Sequence, residues 1–138
     1  MIKKILVADN SITIQKIVAM AFEHEDAVVE GISKGKEALD KMKTFKPDIV
    51  LADIDMQDLT GFELSKKIKN EPKFNLTKVL LLASDFEDFD KNLVDSSGAD
   101  DHISKPVKSE DIIKKVNDLL AEKLPDSIDE TINRTPVD

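Results

Sequence analysis

The sequence predicts a doubly wound α/β domain, a five-stranded parallel sheet in the order 2-1-3-4-5 with five helices on its two faces. Three observations carry that expectation. Short apolar runs rich in branched residues alternate five times with segments whose apolar residues recur at helical spacing. One run, KVLLLAS at 78–84, is apolar almost without a break, as a strand buried on both faces must be. Acids also stand at the ends of strands one and three, the edge at which open parallel sheets bind ligands. Right-handed crossovers between successive strands leave few other topologies.

The elements follow in order. KKILVAD (3–9) is the first strand. SITIQKIVAMAFEH (11–24) is a helix with Ile14, Ile17, Val18, Ala21 and Phe22 on one face and Ser11 as its N-cap. AVVEGI (27–32) is the second strand, and SKGKEALDKMKTF (33–45) a helix facing inward through Ala38, Leu39, Met42 and Phe45. PDIVLAD (47–53) is the third strand, opened by a proline where a strand tolerates one. TGFELSKKIKN (60–70) is a helix with Phe62, Leu64 and Ile68 apolar, and the fourth strand comes next. DFEDFDKNLVDSSG (85–98) is a short helix with acids in its first turn, Phe86 and Phe89 in the core, and Gly98 as its stop. The acids of DFEDFD lack the glycine and terminal glutamate of a calcium loop. DHIS (101–104) is a brief fifth strand. SEDIIKKVNDLLAEKL (109–124) is the clearest helix, with Ser109 as cap and Ile112, Ile113, Val116, Leu119 and Leu120 on one side.

Composition narrows the functions open to this domain. Its 138 residues suit one domain with a core, which the near absence of aromatics makes aliphatic. A net charge of −8 argues against a basic nucleic-acid footprint and favours cations as ligands. With no cysteine there is neither a disulfide frame nor thiolate chemistry, which is compatible with a cytoplasmic location. No apolar run approaches the ~18 residues of a membrane span, and MIKKILVAD has too short an apolar part for a signal peptide. The domain is expected to occupy 1–124. The polar stretch 125–138 reads as a linker or C-terminal extension, with capping-box spacing between Ser127 and Glu130.

The strand ends are where chemistry concentrates. Asp9 ends strand one, Asp53 ends strand three, and Lys105 follows strand five. In the order 2-1-3-4-5 the switch point lies between strands one and three, so Asp9 and Asp53 should stand side by side with Asn10 adjacent. Two carboxylates at one spot repel unless a cation or proton sits between them. Mg²⁺ suits such a site, because it takes one or two carboxylates, a carbonyl, waters and a phosphate. Lys105 adds a positive charge for a phosphate or carboxylate oxygen.

These residues resemble a known family. ILVADNS (5–11), PDIVLADIDMQDLTGFEL (47–64) and GADDHISKP (98–106) are similar in order and spacing to receiver domains of bacterial two-component response regulators, over about residues 1–123. The resemblance implies a flavodoxin-like fold and a phosphorelay function. It implies that Asp53 accepts a phosphoryl group from a sensor histidine kinase or phosphotransfer protein as an acyl phosphate. It implies Mg²⁺ held by Asp9, Asn10, Asp53 and the backbone carbonyl of Asp55. Lys105 would contact the phosphoryl group, Pro106 would follow a cis peptide bond, and Gly61 would supply backbone freedom after the acceptor loop.

Five positions differ from the family pattern or single themselves out within it. Asn10 stands where a second acid is usual and brings an amide oxygen without charge. Ala83 stands where a switch serine or threonine is usual. Ser84 is next to it, and strand alternation is expected to turn Ser84 to the other face unless the strand bulges. Gln57 replaces a proline common in the acceptor loop, and His102 occupies the switch-aromatic position. Asn10 and Ala83 motivate an alternative, a pseudo-receiver that acts as a protein-interaction module without phosphate. A small Mg²⁺-dependent phosphohydrolase is a third class, disfavoured because no separate general acid or base is in sight. The resemblance implies an unnamed downstream protein and leaves a homodimer through the fourth and fifth helices open, while the acidic charge and the short apolar runs argue against direct contact with nucleic acid or membrane. The sequence is that of a stand-alone receiver or of the receiver part of a longer chain.

Overall fold

The computed structural model describes residues 2–84 and 91–123. Its strands are β1 (Lys3–Ala8), β2 (Ala27–Ile32), β3 (Ile49–Asp53), β4 (Lys78–Ala83) and β5 (Asp101–Ser104). Its helices are α1 (Ile12–Ala21), α2 (Gly35–Thr44), α3 (Gly61–Asn70), α4 (Lys91–Ser97) and α5 (Ser109–Lys123). The strands pair in parallel in the expected order, β2-β1-β3-β4-β5. That order reverses between β1 and β3, where Ala8 lies opposite Ala52. The next residue of each strand is therefore an acid at the same edge of the sheet.

Alternation along the strands divides the core in two. Ile5, Val7, Ile49, Leu51, Leu80 and Leu82 face one layer, with Ile14, Val18 and Phe22 from α1 and its end and Ile112 and Val116 from α5. Leu6, Val50, Ala52, Val79 and Leu81 face the other, with Ala38 and Met42 from α2 and Leu64 and Ile68 from α3. The central strands are covered on both faces, which explains why β3 and β4 read as unbroken apolar runs. Each of these leucines and isoleucines contributes roughly 1.5–3 kcal/mol by leaving water.

The helix ends show what the apolar pattern does not. In α1, Ser11 accepts a hydrogen bond from the Ile14 N–H at 3.3 Å, the expected cap. The helix stops at Ala21, short of the predicted 24. Phe22 leaves helical geometry at φ −107° and ψ 10°, and its side chain remains buried in the core. In α5 the first helical bond runs from the Ile112 N–H to the Lys108 carbonyl at 3.0 Å. Lys108 thus holds the cap position, and Ser109 is already inside the helix rather than capping it. Gly98 follows α4 at φ 75°, the left-handed stop expected of it. β2 and β5 coincide with the predicted runs, and β1, β3 and β4 are each one or two residues shorter at one end, the usual margin of such boundaries. The predicted core pair Phe86 and Phe89, the acidic helix start at 85–90 and the extension 125–138 lie outside the described residues.

Two further caps come from the connection between β3 and α3. Thr60 and Glu63 form a reciprocal capping box at the start of α3, at 3.1 and 2.9 Å. Lys34 offers α2 no side-chain cap. Asp58, from the loop before α3, serves instead, accepting from the Gly35 and Lys36 N–H groups at 3.0 Å each. The Lys36 N–H holds the Asp58 carboxyl below its ordinary range, against a desolvation cost and with help from Gly35. Among the described residues no helix is long and apolar enough to cross a membrane.

Gly61 sets how closely α3 approaches β3. A Cβ there would stand 2.7 Å from the Asp53 carbonyl oxygen and 3.0 Å from that of Ala52. Both are backbone atoms that cannot turn aside. Gly61→Ala is expected to lower stability by about 1–3 kcal/mol through overpacking. A urea transition reads this as a lower midpoint at constant slope, and an unmoved midpoint would show that α3 yields freely.

Candidate functional site

The site assembles from three strand ends. Asp9 follows β1, Asp53 closes β3, and Lys105 follows β5. Asp9 is fully buried and Asp53 nearly so. Each carboxylate commits one oxygen to its own loop. Asp9 Oδ1 accepts from the Ser11 N–H at 2.9 Å, and Asp53 Oδ1 from the Asp55 N–H at 3.0 Å. The other oxygens face the lysine, with Lys105 Nζ 2.8 Å from Asp9 Oδ2 and 3.3 Å from Asp53 Oδ2. The Lys105 backbone is itself pinned, its N–H donating to the Ala83 carbonyl at 2.8 Å.

Electrostatics makes this an anionic cup with a cation in its wall. Burial alone would lower the pKa of Lys105, but Asp9 and then Asp53 outweigh it and raise the ammonium above its ordinary range. Two carboxylates still outnumber one ammonium. Among the described residues Asp9 Oδ2 has no hydrogen-bond donor aligned on it, although the lysine is within ion-pair distance. A buried carboxylate oxygen in that condition is costly and is the kind of atom a hard cation satisfies. Among the described residues no group of three His, Cys, Asp or Glu side chains converges. The donor set therefore fits Mg²⁺, which needs only one or two carboxylates and completes its shell with carbonyl and water oxygens, better than it fits a metal that demands a full protein cage.

The other predicted positions fall around this cup. Asn10 is exposed in the β1–α1 loop, and its side chain makes no hydrogen bond among the described residues. Asp55 is exposed two residues beyond Asp53. Ala83 is buried at the end of β4. Ser84 departs from the expectation of strand alternation. β4 ends at Ala83, so the pleat no longer governs Ser84, and its hydroxyl donates to Asp55 Oδ2 at 3.2 Å. The Lys105–Pro106 peptide bond is cis. His102 lies away from the cup, in β5 opposite Leu81, with Nδ1 3.9 Å from Asp101 Oδ1.

Gln15 has a part that periodicity gave no reason to expect. Its amide donates to the Asp9 backbone carbonyl at 2.8 Å and approaches Ser33 Oγ at 3.4 Å. It ties the peptide joining Asp9 to Asn10 to the end of β2. Gly31 makes room for it, since a Cβ there would lie 2.4 Å from Gln15 Oε1. A polar residue one turn into a helix, opposite a glycine in the neighbouring strand, was the available signal.

The sequence profile of the response regulator receiver domain matches residues 5–117. The alkaline phosphatase synthesis transcriptional regulatory protein PhoP of Bacillus subtilis is 33% identical over 86% of this chain and 48% of its own length. Protein PilH of Pseudomonas aeruginosa is 30% identical over 86% of this chain and 98% of its own. The chain thus spans about half of the first relative and nearly all of the second. The chemotaxis response regulator CheY4 of Vibrio cholerae superposes with a TM-score of 0.79 at 27% identity, covering 86% of this chain and 99% of that one.

The raised pKa of Lys105 has a definite consequence for stability. A lysine held above its unfolded value stabilises the fold fully below that value, ~10.4, and the contribution disappears as pH rises through the folded value. Urea midpoints between pH 9 and 12, values chosen about that reference, should therefore fall more steeply for the parent protein than for Lys105→Gln. Parallel curves would show that the ammonium gains nothing from its two acids.

Proposed function

Since the chain belongs to the response regulator receiver domain family and is a two-component phosphorelay receiver, we propose that Asp53 is its phosphoacceptor. The observation that carries this is the placement of Asp53 Oδ2 toward Lys105 while Oδ1 is tied down by the Asp55 N–H. On this reading an Asp53 carboxylate oxygen attacks the phosphorus of a phosphohistidine. The P–N bond breaks, its electron pair returns to the imidazole of the donor, and an aspartyl phosphate forms. The donor is a sensor histidine kinase or a histidine phosphotransfer protein.

Lys105 has two tasks on this reading. Before transfer its ammonium holds the two carboxylates together, and afterwards it faces the charge that arrives as phosphoryl oxygens. Asp9, Asn10, Asp53 and the carbonyl of Asp55 would hold Mg²⁺. The ion, when bound, neutralises phosphoryl charge during transfer. Asn10 contributes an oxygen without charge there, so the site holds its metal with one carboxylate fewer. Gln15 acts behind it as a positioning residue by fixing the Asp9–Asn10 peptide.

The downstream face is proposed along α4, β5 and α5. His102 lines a 360 Å³ groove there with Lys91, Val94 and Ala99. Asp101 also lines it and is paired with Lys115 of α5 at 2.8 Å. Ala83 cannot reach the phosphoryl group with a hydroxyl. Ser84, whose Oγ is held by Asp55 at the rim of the cup, supplies the hydroxyl in this region.

Treatment with Mg²⁺ and acetyl phosphate should add one phosphoryl group to the parent protein and none to Asp53→Asn, as read by intact mass. An unmodified parent protein would leave the phosphorylation-independent interaction module as the better reading. Asn10→Asp is expected to tighten Mg²⁺ binding by roughly three- to tenfold through its added charge. An unchanged titration would take Asn10 out of the metal site. Ala83→Thr should enlarge the phosphorylation-dependent amide shift of His102, and no enlargement would mean that coupling bypasses position 83.

A further inference from the structure

A second cavity lies at the other end of the sheet, away from the carboxylate cup. It has a volume of about 700 Å³ and is bounded by the α2–β3 connection and the segment between α3 and β4. That volume is within the range of small-molecule sites. Its apolar wall includes Phe74 and Leu76, and Leu76 is 70% exposed at the rim. Lys43, Lys46 and Lys73 also line it, against a single acid, Asp48. Asp48 is already engaged, with Oδ2 accepting from the Lys4 N–H at 3.0 Å. None of the three lysines is ion-paired among the described residues. The concentration of cations runs against the chain's net charge of −8.

The fold itself gives these features little to do. Lys46 sits at φ 54°, a left-handed position closing α2 through its N–H to the Lys41 carbonyl at 3.2 Å. Glycine or asparagine takes that conformation at lower cost. An exposed leucine beside a half-buried phenylalanine gains nothing from water. Unpaired ammonium groups around an apolar floor match one ligand chemistry, an anionic head joined to an apolar body.

We propose that this cavity is a binding site for a small amphipathic organic anion. Its carboxylate, sulfonate or phosphate would lie among Lys43, Lys46 and Lys73, and its hydrocarbon or aromatic part against Phe74 and Leu76. The site is independent of the phosphoryl chemistry and makes no covalent bond.

The probe is 8-anilinonaphthalene-1-sulfonate, titrated into the ¹⁵N-labelled full chain and followed by amide shifts. Saturable shifts are expected at Lys46, Lys73, Phe74, Leu76 and Thr77. The double substitution Lys46→Gln/Lys73→Gln should weaken binding by about tenfold, with the remaining spectrum showing an intact fold. The uncharged N-phenyl-1-naphthylamine should bind about tenfold more weakly than the sulfonate, and inorganic phosphate should give no saturable shift. Phe74→Ala should weaken binding without altering shifts at the carboxylate cup. The proposal falls if the sulfonate shifts only residues elsewhere or if the lysine variant binds as tightly as the parent. It also falls if the neutral analogue or phosphate alone matches the sulfonate.

Discussion

A single ammonium group between two buried carboxylates is the constraint around which this molecule is organised. Asp9 and Asp53 repel at the shared edge of the sheet unless a cation or proton lies between them. Lys105 supplies that charge from the far side of β4, at 2.8 and 3.3 Å. The parallel order brings β1 and β3 together, and β4 and β5 carry the lysine across to them. The arrangement is under tension by design of its charges, since one lysine compensates two acids incompletely. What remains is an attraction for further positive charge, which the phosphoryl transfer proposed at Asp53 would use.

The cup is held by atoms that are not themselves reactive. Backbone N–H groups two residues along each loop hold one oxygen of each carboxylate. The Gln15 amide fixes the peptide behind Asp9. Gly61 permits α3 to begin against the carbonyl of Asp53. Such devices fix where the carboxylate oxygens are, and a receiver depends on that because its own contribution to transfer is chiefly positioning and charge.

Much of this was legible in the residues. Five alternations and the continuous apolar strand fixed the sheet, because burial on both faces leaves no polar position to disguise it. Asp9, Asp53 and Lys105 were legible because topology alone forces strand ends together. What escaped lies in contacts whose partners are distant or whose geometry depends on a turn. Alternation predicts Ser84 on the other face, yet its strand has already ended at Ala83. The sequence predicts Ser109 as a cap, but the first helical bond falls one residue earlier, on Lys108. The capping box of Thr60 and Glu63 had its spacing in plain view, whereas Gln15 and Asp58 carried no periodic signal at all.

Asp58 also bears on the order of assembly. Helix α2 carries no side-chain cap of its own, and its first two N–H groups depend on a carboxylate 22 and 23 positions away in sequence. A short helix is marginal until its orphan donors are satisfied. Its first turn should therefore lock only after β3 and the loop beyond it have come into place, later than the ends of α1 and α3 that cap themselves. Pulse-labelled hydrogen exchange during refolding would show this as delayed protection of the α2 amides relative to those of α3. Equal protection times would mean that packing of Ala38 and Met42, rather than the distant cap, sets the moment at which α2 becomes permanent.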